Sequence, residues 1–284
     1  MLVSFGITLA MPESRSHQSL RPILVAESVT ELGDEVRGAV LVAGSHGGLI
    51  ASYLGAKAGA HALILNDAGG GLDQAGVAGM AYLDEIGMAA ATVAHTSARI
   101  GDGADSLARG VISQVNQHAR AASVSIGMRA SDAAAILTQA PPPHAVPPPY
   151  AEGRWLLTSH NGIEVWALDS VGKLVPEDAG RILLIGSHGA LHGGRPGSAL
   201  DLHGAPLAAR AALFNDAGAD GAGITRLAEL DARGIPAATV SHTSARIGDG
   251  RSMWETGILS HVNKLAQQRG AYAGMSAREF AERS

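Results

Sequence analysis

The sequence predicts an α/β protein made of two similar βαβαβ units with parallel sheets, related by an approximate twofold axis. Nine residues, HTSARIGDG, occur at 95–103 and again, unchanged, at 242–250. Around both copies, short apolar runs end in glycine-rich polar turns and precede helix-compatible segments, which is typical of βαβ units. A proline-rich stretch separates the copies. We therefore expect one unit at 1–138, an extended linker at 139–153, and a second unit at 154–284.

In the first unit, three apolar runs with β-branched residues are candidate parallel strands. They are contained in GAVLVAGSHGG (38–48), ALILNDAGGG (62–71) and AATVAHTSARIGDG (90–103). The helices expected to alternate with them lie around 49–59, 75–86 and 104–120.

The second unit repeats these runs in the same order, and the repeat of roughly 100 residues is far longer than solenoid periods. The matching segments are RILLIGSHGA (181–190), ALFNDAGADG (212–221) and AATVSHTSARIGDG (237–250). Before them, RWLLTSHNGIEVWAL (154–168) places Asn161-Gly162 between two alternating apolar runs, which predicts a β-hairpin at the start of this unit. The sequence does not distinguish one continuous sheet from two separate lobes.

Composition and charge exclude several classes of function. Among 284 residues there is no cysteine, so disulfides, thiolate zinc sites and a cysteine nucleophile are excluded. A net charge of −5 without a basic cluster argues against nucleic acid as a partner. The apolar start, MLVSFGITLAMPESRSH, lacks basic residues ahead of it and is too short to span a bilayer. It predicts a strand or an upstream extension with Met11 as the original start. We expect a cytoplasmic protein with no membrane partner, compatible with a homo-oligomer.

The repeated polar strings locate the candidate site. In parallel α/β sheets, ligands bind beyond the carboxyl ends of the strands, and all of these strings lie at such ends. The predicted catalytic residues are Ser45, His46, Asp67 and His95, with Ser187, His188, Asp216 and His242 in the second unit. The predicted substrate-binding residues are Asn66, Ser97, Arg99 and Asp102, with Asn215, Ser244, Arg246 and Asp249.

The residue types at these positions suggest acid–base chemistry on an anion. Histidine titrates near neutral pH, and a helix cap does not need an imidazole. Arg99 can grip a carboxylate or phosphate at two points, although an ion pair with Asp102 is an equal alternative. Asp102 and Asp249 are also natural helix N-caps. Ser45 beside His46 suggests a nucleophile, but the GxSxG pattern is absent.

No cofactor is expected. Histidine and aspartate at the strand ends could ligate a divalent metal, but no HxH or HExxH pair supports this alternative.

One segment differs between the units. Seven more residues separate Ser187 from Asn215 than separate Ser45 from Asn66. The extra length falls in LHGGRPGSALDLHGAP (191–206), which carries His192, Arg195, Asp201 and His203. Such a glycine-rich loop beside a strand-end site is a candidate lid or substrate-selective loop, with a tolerated surface insertion as the alternative.

These features favour an enzyme acting on a small anionic metabolite. Hydrolysis is the expected reaction, with C–N bonds ahead of esters, because His, Ser, Asn and Asp together suit acyl chemistry. A cofactor-free lyase or isomerase would use the same histidines. A non-catalytic protein that clasps a small ligand between two lobes is the alternative from another class, and a structural or assembly protein is the least favoured.

Overall fold

The computed structural model describes residues 21–202 and 204–284, without the side chain of Glu31. The predicted N-terminal strand and His203 lie outside the described residues. The fold is mixed α/β with two separate parallel-rich sheets of five and six strands and a small two-stranded ribbon. The two main sheets belong to successive parts of the chain, which we call the first half (21–138) and the second half (154–284). The choice between one sheet and two is thereby decided in favour of two.

The first sheet has the order β1-β2-β3-β4-β5. Its strands are β1 (Ile23–Ala26), β2 (Val40–His46), β3 (Ala62–Asn66), β4 (Ala89–Val93) and β5 (Ile112–Val115). The first four are parallel, and β5 runs antiparallel to β4. The helices of this half are α1 (Leu49–Lys57), α2 (Gly79–Glu85), α3 (Gly103–Arg109), α4 (Gln117–Ala121) and α5 (Ala130–Leu137).

The second sheet has the order β13-β12-β11-β8-β7-β6. Its strands are β6 (Arg154–His160), β7 (Ile163–Leu168), β8 (Ile182–His188), β11 (Ala211–Asn215), β12 (Ala237–Val240) and β13 (Leu259–Val262); β9 (Asp201–Leu202) and β10 (Ala205–Pro206) form the ribbon. Parallel β7, β8, β11 and β12 lie between antiparallel edge strands β6 and β13. The helices are α6 (Arg226–Ala232), α7 (Gly250–Thr256), α8 (Lys264–Gln268) and α9 (Ala277–Arg283).

The predicted hairpin is confirmed. Strands β6 and β7 pair antiparallel, and both turn residues have positive φ, 50° at Asn161 and 79° at Gly162. That combination matches the twist of the flanking strands and suits asparagine followed by glycine.

The prediction of one helix over 104–120 is wrong. Helix α3 ends before Gly110, the chain then forms β5, and α4 begins after Asn116, whose side chain accepts a hydrogen bond from the Ala119 amide. The run ISQV buries Ile112 against the sheet, so tertiary packing favours a strand there. An antiparallel edge strand is the result.

The central strands are buried on both faces because helices cover both sides of the first sheet. Strands β2, β3 and β4 are buried along their whole length. Leu41, Leu63 and Leu83 belong to the core on the α1 and α2 side, while Val42 and Leu137 belong to the core on the α5 side. Each such side chain contributes about 1.5–3 kcal/mol on burial. This pattern explains why the parallel strands are continuous apolar runs.

The 191–206 segment replaces a helix. The first half places α1 between β2 and β3, whereas the second half has a short 3-10 turn at 192–194 and the β9–β10 ribbon between β8 and β11. Ala199, Leu200 and Leu207 of this region pack into a core with Leu183 and Phe214. The segment is therefore a structural layer of its half, which neither sequence-based expectation included.

The proline-rich linker is largely exposed and lacks regular structure from 141 to 153. It is fastened to the first half, because the Tyr82 hydroxyl donates to the Pro148 carbonyl (2.7 Å) and the His144 amide to that of Ile86 (3.0 Å). Across 21–202 and 204–284, no helix is long and apolar enough to cross a membrane.

Loops at the carboxyl ends of the two sheets meet at a junction between the halves. Its centre is a small apolar cluster formed by Ala68, Ile100, Ala190, Ala217, Ala222 and Ile247. Backbone hydrogen bonds cross it: the Leu72 amide donates to the His242 carbonyl (2.9 Å), and the Gly193 amide to that of Gly101 (2.7 Å). The predicted site residues therefore lie at strand ends, or in the loops that follow them, on the side of each sheet where the halves meet.

Candidate functional site

Four residues form what we call the paired-histidine cluster: Asp67, His95, Asp216 and His242. His95 Nδ1 lies 3.1 Å from an oxygen of Asp67, and His242 Nδ1 lies 2.8 Å from one of Asp216. The same carboxylate oxygens accept the backbone amides of the two histidines. Each aspartate thus fixes its imidazole with the proton on Nδ1 and leaves Nε2 for chemistry.

The two imidazoles come from opposite halves and lie next to each other. Their ring centroids are 5.7 Å apart, and the planes are tilted by 51°. The side chains of His95 and His242 keep 29% and 26% of their surface exposed, so a small molecule can reach both.

Hydrogen bonding sets the charges of this cluster. The hydrogen bond that His242 donates to Asp216 raises the pKa of His242 above its ordinary value, against the opposing effect of burial. Burial disfavours the charge on both aspartates, but hydrogen bonds from the histidines outweigh it, and the pKa values of Asp67 and Asp216 are lowered. Both carboxylates are therefore ionised at neutral pH and favour a protonated imidazole beside them.

A glycine loop packs directly on the two rings. Gly69 has φ +72°, and a Cβ atom there would lie 2.9 Å from the His242 ring and 3.2 Å from His95 Cε1. The loop follows Asp67, whose side chain also accepts the Gly69 amide (2.8 Å). Glycine is therefore favoured at position 69 for two reasons: the backbone there has a positive φ, and a Cβ atom would be too close to the two rings.

The serine–histidine motifs lie elsewhere at the junction. The hydroxyls of Ser45 and Ser187 each accept a backbone amide, from Val29 and Val171, at 3.1 Å. Within the described residues neither serine is hydrogen-bonded to a histidine. These hydroxyls therefore stabilise the turns that begin at Val29 and Val171.

His46 and His188 are neutral, buried hydrogen-bond donors. Nδ1 of His46 accepts the Gly48 amide (3.1 Å), and Nδ1 of His188 accepts that of Ala190 (3.3 Å), which places the proton on Nε2. Burial lowers the pKa of His46 to about 4 and that of His188 well below its ordinary value. Both imidazoles are therefore uncharged at neutral pH.

These motifs line a small space between the halves, which we call the inner cavity. Its volume is about 30 Å³. Its polar lining includes Ser45, His46, Ser187, His188, Glu152 and Arg226. One Glu152 oxygen is buried and has no hydrogen-bond partner in the described part of the chain. A cavity of this size has room for ordered water, which would satisfy such an atom.

Sequence reasoning missed both Glu152 and Arg226. Glu152 lies at the end of the linker, where no pattern marks it. Arg226 begins α6 at the place where Gly79 begins α2. That difference between otherwise similar segments was the available signal for Arg226.

The two predicted anion-binding arginines form ion pairs across the junction. Arg99 Nε lies 3.3 Å from Asp220, and an Arg246 guanidinium nitrogen lies 2.7 Å from Asp73. Looser contacts join Arg99 to Asp102 (3.7 Å) and Arg246 to Asp249 (3.6 Å). Both guanidinium groups are therefore already matched with carboxylates.

The predicted substrate-binding aspartates and serines shape the same loops. Asp102 caps α3 by accepting the Asp105 amide, and Asp249 caps α7 by accepting that of Ser252. Ser97 donates to the Ala94 carbonyl and accepts the Val111 amide. Ser244 makes the equivalent pair of bonds with Ser241 and Ile258.

The two asparagines are fully buried beside the paired-histidine cluster. Asn66 accepts the Ala68 amide (2.9 Å) and donates to the Ala98 carbonyl (3.3 Å). Asn215 accepts the Ala217 amide (3.3 Å), while its Nδ2 has no hydrogen-bond partner among the residues that the structure describes. Much of the identity between the two nine-residue strings thus has a structural explanation, whereas the imidazoles of His95 and His242 remain partly exposed.

Within the described residues, no group of three or more His, Asp or Glu side chains is arranged to hold a metal ion. Comparisons of the chain with protein-family models, with curated proteins and with solved structures found no match.

Proposed function

We propose that this protein is an enzyme in which His95 and His242 act as a general acid–base pair on a small molecule bound at the junction. The observation that carries the proposal is the pair of imidazoles, each oriented by its own aspartate and delivered by a different half. Paired titrating groups that share a cleft are a recurring arrangement in active sites.

The proximity of the rings favours a singly protonated pair. Two imidazolium ions this close would repel each other, so binding the first proton disfavours binding the second. The hydrogen bond that His242 donates to Asp216 raises the pKa of His242, so this ring is the one that holds the proton in the proposed pair. His242 is then the acid, and His95 takes the part of the base.

This charge state suits hydrolysis, most of all of a C–N bond. His95 Nε2 would take a proton from water as the water oxygen attacks the carbonyl carbon. His242 Nε2 would give its proton to the leaving nitrogen as the C–N bond breaks. An amine leaves poorly without that proton, whereas an alcohol depends on it less, so we place amides ahead of esters.

In this mechanism no serine is the nucleophile. Ser45, Ser187, His46 and His188 line the inner cavity, away from the paired-histidine cluster. Because Arg99 and Arg246 are bound to carboxylates, the proposal does not require an anionic group at the histidines.

We also propose that the halves descend from a duplication and are related by an approximate twofold axis. Equivalent strands follow the same order in both sheets. The junction contacts are reciprocal as well, because Gly101 lies against His188 and Gly248 against His46.

The test replaces each histidine of the pair with asparagine, which keeps a hydrogen-bonding side chain of similar size without the titrating ring. On a panel of small amides and esters, we expect H95N and H242N each to lose about a hundredfold or more in kcat. Their thermal midpoints should stay close to that of the wild type. H160N, at the exposed end of β6, is the matched control and should keep full turnover.

Full turnover in both variants, or a loss explained by unfolding, would contradict the acid–base role. A wild-type protein that turns over no member of the panel would contradict hydrolysis. The facing imidazoles also suit a lyase or isomerase, and exchange of substrate C–H protons with deuterated solvent would favour that second candidate.

A further inference from the structure

Arg226 carries a buried positive charge that no carboxylate neutralises by an ion pair in the part of the chain the structure describes. The residue is 1% exposed. Its Nε donates to the Ala190 carbonyl (2.9 Å), one terminal nitrogen donates to that of Ala199, and the other to His192 Nε2 (3.3 Å). A guanidinium has five N–H donors, so two are left over. Buried charges without a counter-ion are costly, and proteins rarely keep them without a use.

The position of Arg226 makes it accessible to a ligand. It lines the inner cavity and also a larger cleft of about 890 Å³, and Thr30, Val171 and His192 line both as well. That cleft is walled by the 195–206 segment, which contributes a second cation, Arg195. Clefts of this size hold metabolite-sized ligands.

The difference between the halves is what creates this space. In the first half, a Cβ at Gly79 would lie 1.9 Å from the Ser52 hydroxyl of α1, so no side chain fits there. The second half has no helix equivalent to α1, and Arg226 stands in place of the glycine. The cleft therefore lies where the first half has α1, and the buried guanidinium of Arg226 lines it.

The charges that line the cleft favour an anion on balance. Among the described residues of its lining, Arg226 and Arg195 stand against one carboxylate, Asp201, whose side chain accepts the Gly204 amide. The Glu229 carboxylate, outside this lining, also acts on Arg226 but forms no ion pair with it and accepts the Gly197 amide. Arg195 also interacts electrostatically with the carboxylate of Glu27. On the inner side, Nε2–H of His46 and of His188 donates to no group among the described residues, and Glu152 is the acidic residue of that lining.

We propose that this cleft binds a small anionic ligand whose carboxylate or phosphate group is held by Arg226, with Arg195 at the mouth. The guanidinium fork matches both oxyanions in geometry and charge. The site shares no lining residue with the paired-histidine cluster and goes beyond the proposed catalytic function. The 191–206 segment is then the wall that selects this ligand.

The experiment measures binding of inorganic phosphate and of acetate, each against chloride at equal ionic strength, by the shift in thermal midpoint with concentration. We expect at least one oxyanion to stabilise the wild type in a saturable manner. A stronger response to phosphate identifies a phosphorylated ligand, and a stronger response to acetate identifies a carboxylate.

Three variants test whether the stabilising anion binds in this cleft. R226M should weaken binding by at least about thirtyfold, because it removes the buried partner of the anion. R195Q, an exposed change that should fold normally, should weaken it about two- to fivefold. R210Q removes an exposed arginine outside the cleft, whose Nε donates to the Ser284 carbonyl, and should bind as the wild type does.

No stabilisation beyond that of chloride would overturn the proposal, and so would equal affinities in R195Q and R210Q. The latter comparison remains decisive if R226M does not fold. H95N should bind the anion as the wild type does, so failure of the acid–base proposal and failure of this one are distinguishable.

Discussion

Replacing Gly69 with alanine would test how tightly the paired-histidine cluster is packed. The residue has φ +72°, and its new Cβ would lie 2.9 Å from the His242 ring and 3.2 Å from His95 Cε1. Carbon atoms normally approach to about 3.5–4.0 Å. The substitution therefore forces the rings or the loop to move by roughly half an ångström or more.

Two costs add up in this variant. A left-handed backbone conformation costs about 1–2 kcal/mol in a residue with a Cβ atom. Overpacking a well-filled site typically costs about 1–3 kcal/mol more. We therefore expect the free energy of unfolding to fall by about 2–5 kcal/mol.

Gly127 provides the matched control. It has φ +87°, and a Cβ there would meet nothing within 4 Å. G127A should lose about 1–2 kcal/mol, from the backbone alone. Urea unfolding at an unchanged m-value gives both numbers. Equal losses in G69A and G127A would refute the tight contact between Gly69 and the imidazoles, while a larger loss in G69A should come with reduced turnover.

Two further predictions concern charge and chain accessibility. The hydrogen bond that His242 donates to Asp216 raises the folded-state pKa of His242 above its ordinary value of 6.5. The bond therefore contributes stability that is complete below pH 6.5 and is lost as the pH rises through the folded-state pKa. D216N should therefore lower the pKa of His242 measured by NMR and remove this part of the pH dependence; an unchanged titration would argue against the pairing. Limited proteolysis with subtilisin should cut first within the exposed 141–151 stretch, and first cleavage inside 181–190 would contradict the boundary.

The apolar runs predicted the buried parallel strands well, because a strand covered on both faces leaves a continuous apolar signature. The hairpin was equally readable from Asn161-Gly162, since that turn depends on local backbone preferences. The helix prediction for 104–120 was wrong because the choice between helix and strand there depends on the packing of Ile112 against β4. No local sequence pattern encodes that contact.

The site was predictable in part. The strand-end rule grouped the polar residues, and Asp67 and His95 lie side by side just after the paired strands β3 and β4. The rule could not predict the division into two clusters, because that division depends on how the halves meet: His46 and His188 lie against Gly248 and Gly101 of the opposite halves. The partner of Arg99 is Asp220, far along the chain, so its ion pair depends on how the halves meet.

The linker at 139–153 allows the two sides of the junction to differ in sequence. In a pair of identical chains meeting at the same loops, every substitution would appear on both sides of the axis at once. Covalent joining removes that constraint and keeps the two partners at a high local concentration. Under the proposed duplication, one half can then keep a helix such as α1 while the other has a cleft and a buried arginine in that place. The tether would thus allow two halves of common origin to carry different surfaces.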